Sequence, residues 1–314
     1  MKINLENTKK HLIWVLKGFI MGTSDIVPGI SGGTMALILN IYEKLINAIG
    51  GLFNKNNIWL LSKRRFKTLS EVIEYKFLLS LGFGILLAVF TLSHPISWLL
   101  ENKPTFLWAF FFGLVSASIF FMRKKITKWP LKIWGVFLLG MIFAYIVAGL
   151  IPVQTPVTPI YFFIAGAIAI SAMILPGISG SFLLVVMGKY EQILESVRSL
   201  DFMVLGIFLL GIFFGLIVFI RILSWLLKNY YEITFAFLVG LMVGSLRRVW
   251  PWKVEGINVL PFEYNTENLL IFILIAFGFG IVLALLRWNN KVEIKKEERK
   301  DEKETSDDID KIIV

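Results

Sequence analysis

Two copies of a Pro-Gly-Ile-Ser-Gly motif, residues 28–32 and 176–180, interrupt a strongly apolar sequence. Proline and glycine break helices, and inside a membrane each backbone group left without a partner costs several kcal/mol. Ser31 and Ser179 are suited to cap the half helices that follow, because a serine hydroxyl accepts hydrogen bonds from the first N–H groups of a helix. The N–H groups left at the two helix starts carry partial positive charge. We therefore expect the two starts to face each other near the middle of the membrane and to bind an anion such as phosphate.

The residues expected to bind the anion are the two serines and the small residues that follow them, since glycine lets a ligand approach the backbone closely. They are Ser31, Gly32, Gly33 and Thr34 in the first motif and Ser179, Gly180 and Ser181 in the second. The helix-breaking residues are Pro28, Gly29, Pro176 and Gly177. The alternative is that glycine and serine only allow close helix packing. Packing alone, however, does not require Pro-Gly in both copies.

Asp25 lies just before the first motif and has no acidic counterpart, because Met173 stands at the equivalent position of the second copy. A carboxylate at membrane depth is costly and usually functional. Asp25 is therefore the candidate coupling residue, binding a cation and most simply a proton. The alternative is that Asp25 caps the half helix beside it.

His94 and Arg221 occupy equivalent positions just before a second repeated segment, Ser-Trp-Leu-Leu at 97–100 and 224–227. Arg221 could bind two phosphate oxygens at once, and His94 could donate a hydrogen bond or titrate near neutral pH. Both are candidate substrate-binding residues. The alternative is that the arginine reaches to the membrane surface and that the histidine, followed by proline, only marks a kink.

The composition places these residues in a membrane. Hydrophobic residues make up 57% of the 314 residues, charged residues only 17%, and the mean hydropathy is +0.75. The absence of cysteine and the presence of only two histidines exclude disulfides, thiolate chemistry and most metal or haem sites. We predict no catalytic residue, metal or cofactor, and hence a protein that is not an enzyme.

Six stretches approach the length of about 20 apolar residues that a membrane-spanning helix needs. They are residues 77–100, 104–122, 133–151, 202–227, 229–246 and 268–287. The apolar segments beside the two motifs are too short to cross. We therefore predict re-entrant helical hairpins at about 12–48 and 160–195.

The sequence thus predicts an all-α polytopic membrane protein built from two inverted repeats, residues 1–151 and 152–288, followed by a charged cytoplasmic tail at 289–314. Each repeat is one re-entrant helical hairpin plus three transmembrane helices, and the odd number of spans reverses the second repeat. With both termini in the cytoplasm, only six of the 32 Lys and Arg residues face outward, as the positive-inside rule favours. Those six are Lys103, Lys189, Arg198, Arg247, Arg248 and Lys253. The first ten residues lack the features of a secretory signal, so no cleavage is expected there.

The doubled motif resembles the bacterial polyprenyl-phosphate (undecaprenyl-phosphate) transporter family, catalogued earlier as domain of unknown function 368. The residues that carry the resemblance are 24–34 with Ile-Tyr-Glu at 41–43, and 175–181 with Tyr-Glu at 190–191. Asn40 departs from the pattern, because the family usually has glycine there. The resemblance implies a flippase in the bacterial cytoplasmic membrane that returns undecaprenyl phosphate from the outer to the cytoplasmic leaflet for cell-wall synthesis.

Two other functions stay open from the residues alone. A secondary transporter of a small anion or ion could use the same hairpins, whereas a membrane lipid-phosphate enzyme would need a nucleophile, a base or paired carboxylates at short spacing. The expected partners are the polyprenyl-phosphate lipid, bilayer lipids and protons as coupling ion, with no nucleic acid. A homo-oligomer is compatible with the sequence.

Overall fold

The computed structural model describes residues 5–27, 30–53, 74–254, 256–261 and 266–287, and most of them are helical. The first half contains α1 (Leu5–Asp25), α2 (Gly32–Ile38), α3 (Tyr42–Leu52), α4 (Tyr75–Asn102), α5 (Pro104–Met122) and α6 (Leu131–Ala148). The second half contains α7 (Pro159–Ile174), α8 (Gly180–Val186), α9 (Tyr190–Arg198), α10 (Phe202–Asn229), α11 (Tyr231–Ser245) and α12 (Thr266–Arg287). A short antiparallel hairpin, β1 (Lys253–Val254) and β2 (Ile257–Asn258), lies between α11 and α12. The predicted tail at 289–314 lies outside the described residues.

The two halves have the same order of helices. Each begins with a helix that ends at the break, continues with a seven-residue half helix and a second short helix, and then has a 28-residue helix and two further helices. The duplication found in the sequence therefore extends to the order of structural elements.

In the part of the chain that the structure describes, five helices are long and apolar enough to cross a membrane: α4, α5, α6, α10 and α12. Helices α2 and α3 together pass the same test but are bent by 119°, so they form either a sixth, broken span or a re-entrant loop. Large apolar side chains are exposed along these helices, among them Phe90, which is 82% exposed, and Leu131, which is 89% exposed. Exposed apolar surface of this extent marks contact with lipid. The chain is an all-α, multi-pass membrane protein.

Helix α11 is shorter than the span predicted at 229–246. Its 15 residues extend for about 22 Å at 1.5 Å per residue, less than the roughly 30 Å of a hydrocarbon core. Ten of the 15 residues are buried against other parts of the protein. Burial against other helices accounts for the apolar character of α11 as well as a span does, so the span at 229–246 stays a prediction.

Glycines set the crossing of the first and fourth helices in each half. A side chain at Gly84 in α4 would overlap the carbonyl oxygen of Val15 in α1, and a side chain at Gly211 in α10 would overlap that of Phe163 in α7. The absence of a side chain lets the two backbones meet. Helix α1 therefore packs on α4 in the same way as α7 packs on α10.

The bend after each half helix uses a residue in the left-handed region of backbone conformation. Asn40, between α2 and α3, has φ 53°, and Gly188, between α8 and α9, has φ 65°. Glycine adopts this conformation without strain, and asparagine tolerates it better than most residues. The asparagine that departs from the family pattern is therefore compatible with the bend.

Candidate functional site

The two motifs contact each other directly. The Ser31 hydroxyl lies within hydrogen-bonding distance of two carbonyl oxygens at the end of α7. One belongs to Met173, in the last turn of the helix, at 3.0 Å, and the other to Leu175, just after the helix, at 2.9 Å. In return, the Gly177 N–H donates to the Thr34 hydroxyl at 3.0 Å. The last carbonyl groups of a helix have no partner within the helix. Each motif therefore supplies hydrogen bonds that the break in the other motif requires.

The first half helix starts in a fully bonded arrangement. Ser31 caps it as predicted, because its hydroxyl accepts from the Gly33 N–H at 3.1 Å and its carbonyl accepts from the Thr34 N–H at 2.9 Å. The Gly32 N–H donates to Asp25 Oδ1 at 2.6 Å. The N–H groups of Gly32, Gly33 and Thr34 are therefore all hydrogen-bonded within the chain. The sequence predicts that they are open to a ligand, but Asp25 and Ser31 lie close enough to accept their hydrogen bonds. The capping alternative for Asp25 is present in the structure.

The second half helix has a looser start. The Ser179 hydroxyl accepts from the Phe182 N–H at 3.5 Å and lies 2.9 Å from the Ser181 hydroxyl. Gly180 is buried, and a side chain there would overlap the carbonyl oxygen of Ala169 in α7. Both predicted serine caps are thus confirmed, and the second start presents two neighbouring hydroxyl groups.

A cavity of about 240 Å³ lies between the two motifs. Its polar lining comes from Asp25, Ser31, Ser179, Gly180 and Ser181, and apolar side chains of α7 and α10 complete the walls. The volume is below the roughly 300–1,000 Å³ of pockets that enclose a whole drug-sized ligand. This motif cavity could therefore hold a small polar headgroup but not a long apolar tail.

Several predicted site residues do not line the motif cavity. Gly32, Gly33 and Thr34 are buried in α2. His94 is exposed on α4. Arg221 is exposed on α10, and its guanidinium donates to the Phe53 carbonyl oxygen at 3.1 Å, so it caps the C-terminal end of α3.

The helix breaks themselves occur where the sequence predicted them. Helix α7 ends at Ile174 and α8 begins at Gly180, with Pro176 buried in the turn and Gly177 in the left-handed region at φ 85°. Helix α1 ends at Asp25 and α2 begins at Gly32. Pro28 and Gly29 lie outside the described residues.

A polar cluster that the sequence did not predict joins the two halves at α3 and α11. Glu43 Oε1 accepts from the Tyr231 hydroxyl at 2.9 Å and from Lys125 Nζ at 3.1 Å. The repeated Tyr-Glu pair, at 42–43 and 190–191, was the available signal for this glutamate. Its partners lie on elements distant in sequence, so no local pattern could reveal them.

Comparison with known proteins identifies the family of the chain. Residues 21–261 match the family model described as VCA0040-like, undecaprenyl phosphate translocase-like. A protein of Vibrio cholerae named polyprenyl-phosphate transporter is 39% identical over 308 residues, which cover 90% of this chain and 99% of the relative. A protein of Staphylococcus aureus with the same name is 35% identical over 291 residues, which cover 87% of this chain and 95% of the relative.

No solved structure matches the chain. The relatives are named as transporters, which agrees with the prediction that the protein is not an enzyme. The extent of these matches, together with the doubled motif, shows that the chain belongs to the undecaprenyl phosphate translocase-like family of membrane transporters.

Proposed function

We propose that this protein is a flippase that returns undecaprenyl phosphate from the outer to the cytoplasmic leaflet, where the lipid carrier re-enters cell-envelope synthesis. The family and the names of its relatives support a polyprenyl phosphate as the substrate. The observation that carries the proposal is the motif cavity, which collects hydroxyl groups from both copies of the motif. A charged headgroup cannot cross hydrocarbon unaided, because burying a charge is costly unless it is paired and hydrogen-bonded.

The headgroup binds in the motif cavity in this proposal. The hydroxyls of Ser179 and Ser181 donate to phosphate oxygens, of which a monoester has three strong acceptors. The Ser31 hydroxyl donates to the phosphate once it gives up its bonds to the carbonyl oxygens of Met173 and Leu175. The partial positive charge at the start of a helix favours the same anion. The small volume of the cavity leaves the polyprenyl tail in the surrounding lipid.

Asp25 regulates access to the first half helix. Its carboxylate accepts the hydrogen bond of the Gly32 N–H, so this N–H cannot donate to a phosphate oxygen at the same time. Two like charges about 4 Å apart repel by about 4 kcal/mol at an effective dielectric constant of about 20. Protonation of Asp25 removes this repulsion and weakens its bond to Gly32, so the phosphate can enter. Loss of the proton restores the carboxylate and expels the phosphate, which couples transport to protons.

Two inverted repeats provide alternating access. The same order of helices in both halves and the matching crossings at Gly84 and Gly211 support two equivalent units. In this arrangement the hairpins around α2 and α8 enter from opposite sides of the cytoplasmic membrane. Rocking of one repeat against the other then exposes the motif cavity to each leaflet in turn.

The test is reconstitution of the purified protein in liposomes that contain a fluorescent polyprenyl phosphate in one leaflet. We expect the protein to move the lipid to the other leaflet, as measured by loss or gain of quenching by an impermeant reagent. Excess inorganic phosphate in the medium should not replace the lipid as substrate. A protein that moves inorganic phosphate but leaves the lipid in place would instead be a small-anion transporter.

Ser31→Leu and Ser179→Leu examine the site itself. Each should abolish lipid movement while protein level and membrane insertion stay normal, because leucine fills the motif cavity and removes a hydroxyl. Ser199→Leu is the matched control, since Ser199 is exposed at the end of α9 and does not line the cavity. Normal transport by both cavity variants would reject the shared binding site.

A further inference from the structure

A second and larger cavity lies beside the ends of α6 and α11. Its volume is about 890 Å³, and it carries three cations, Arg247, Arg248 and Lys253, from the segment that follows α11. None of the described residues that line it is acidic. Aromatic and apolar side chains, including Phe112, complete the wall. We call this space the cationic cavity.

The three cations are fixed by the protein around them. Arg247 Nη1 donates to the Tyr145 carbonyl oxygen at 3.0 Å, and its guanidinium lies 4.3 Å from the centre of the Tyr145 ring. The Arg248 guanidinium lies 4.5 Å from the Phe182 ring. Lys253 Nζ donates to the Arg248 carbonyl oxygen at 2.7 Å. A ligand would therefore meet prearranged charges, which reduces the entropy lost on binding.

The cations in this cavity also repel one another. Burial, and then the charge of Arg248, lower the pKa of Lys253 to about 8. With no carboxylate among the described lining residues, nothing described there offsets the positive charge. A bound anion would relieve this repulsion, so the electrostatics favour an anionic ligand.

Arg248 connects the cationic cavity with the motifs. Besides lining the large cavity, it lines a narrow cleft of about 10 Å³ together with Gly177 and Ser179 of the second motif. Ser179 in turn lines the motif cavity on its other side. The cationic cavity, the cleft and the motif cavity are therefore neighbours, with Arg248 shared by the first two and Ser179 by the last two. The cleft has to widen before a phosphate can pass through it, as it would when one repeat rocks against the other.

We propose that the cationic cavity is a loading site for a phosphate monoester headgroup, from which Arg248 passes the headgroup to Ser179. This inference rests on the proposed function, because it places the cavity at the start of the same transport path. Arginine suits the task, since its planar guanidinium can donate two parallel hydrogen bonds to phosphate. The cavity is much larger than the motif cavity, so it has room for the headgroup and the first units of an apolar tail.

Protection of an introduced cysteine tests occupancy of the site. The natural sequence has no cysteine, and Ile257 lines the cationic cavity while 69% exposed. In Ile257→Cys, reconstituted in nanodiscs, polyprenyl phosphate should slow labelling by a thiol reagent several-fold. The matched control is Leu260→Cys, because Leu260 is 62% exposed and does not line the cavity. Its labelling should be unaffected by the lipid.

A parallel measurement with inorganic phosphate separates the two sources of the phosphate group. Protection by the lipid alone assigns the site to a lipid headgroup, whereas equal protection by both ligands shows that the phosphate group suffices. Addition of Arg248→Gln to Ile257→Cys should remove the protection in either case. Absence of protection by both ligands, or protection that survives Arg248→Gln, would overturn the loading site.

Transport by Arg248→Gln separates this inference from the proposed function. We expect the half-saturating lipid fraction to rise roughly tenfold or more, as for the loss of a hydrogen bond to a charged group. Arg198→Gln is the matched control, because Arg198 is exposed at the end of α9 and does not line the cavity. Comparable thermal stability of the two variants excludes misfolding as the cause. Lipid transport by the unaltered protein with an unchanged half-saturating fraction in Arg248→Gln would reject the loading site alone.

Discussion

Gly113 and Gly240 occupy equivalent positions in the two halves, and each packs against the last helix of the other half. A side chain at Gly113 in α5 would overlap the carbonyl oxygen of Ile275 in α12. A side chain at Gly240 in α11 would overlap the carbonyl oxygen of Phe137 in α6. The halves therefore exchange packing partners, and neither half is complete without the other.

The close packing of the two halves predicts that alanine at two glycines near the same interface changes the thermal stability differently. Gly240→Ala should lower the thermal stability, because overpacking costs about 1–3 kcal/mol and here the obstacle is backbone. Gly135→Ala, on α6 near Phe137, should be neutral or stabilising, since its added methyl group would meet nothing within 4 Å and alanine favours a helix over glycine. Unfolding temperatures of the purified proteins in one detergent provide the comparison. Equal temperatures for both variants would contradict the tight crossing.

Local chemistry made the helix breaks and the serine caps predictable. Proline with glycine ends a helix wherever it stands, and a serine one residue before a half helix is positioned to cap it. Ser31 and Ser179 also share a cavity, because the two copies of the motif contact each other. His94 and Arg221 are equally well matched in sequence but do not line that cavity. Equivalence in a repeat brings residues together only where the copies meet.

The cationic cavity was not predictable from the sequence for a related reason. Arg247, Arg248 and Lys253 were interpreted as charges that face outward. Lys253 donates to the nearby Arg248 carbonyl oxygen. The aromatic partners of the three cations and the Tyr145 carbonyl oxygen come from α5, α6 and α8, which are distant in sequence. Only the assembled fold brings these elements around the three charges.

Asp25 provides a test of proton coupling. Asp25→Asn can keep the hydrogen bond to the Gly32 N–H through its amide oxygen but cannot change charge. We expect this variant to bind polyprenyl phosphate and to lose the dependence of its transport rate on a pH gradient across proteoliposomes. If Asp25 only caps the half helix, the pH response stays as in the unaltered protein. An unchanged response in a stable Asp25→Asn protein would therefore eliminate the coupling role.

The topology can be tested with two exposed positions on opposite sides of the predicted arrangement. Ser196 would be a poor position for a label, because the structure buries it in α9, whereas Ser199 at the end of that helix is exposed. Lys128, in the connection between α5 and α6, is exposed as well. In intact cells an impermeant thiol reagent should label Ser199→Cys, and it should label Lys128→Cys only after permeabilisation. Labelling of both positions in intact cells would contradict the inverted repeats.

Lys253 makes anion binding in the cationic cavity dependent on pH. With a pKa lowered to about 8 by burial and by Arg248, its side chain is charged below that pH and neutral above it. Among the described residues, the groups that face it are the Arg248 carbonyl oxygen and the Trp108 ring, and Arg247 lines the same cavity. Phosphate monoesters are already mostly dianionic at this pH, since their second pKa is about 6. Attraction for the anion should therefore fall as the pH rises through the pKa of Lys253.

The measurement is the protection of Ile257→Cys by polyprenyl phosphate between about pH 7 and pH 9.5, with labelling rates corrected by those of Leu260→Cys. We expect protection to decrease over this range, with a midpoint somewhat above 8 because the bound anion stabilises the charged lysine. Lys253→Arg should flatten the profile, since arginine stays charged throughout. The protein without ligand should show the opposite trend in stability. Above pH 8 the unfolded chain holds the Lys253 proton that the folded chain has lost, so stability should rise until about pH 10.4. A protection profile of the same shape in Lys253→Arg would mean that Lys253 does not contribute its charge to the site.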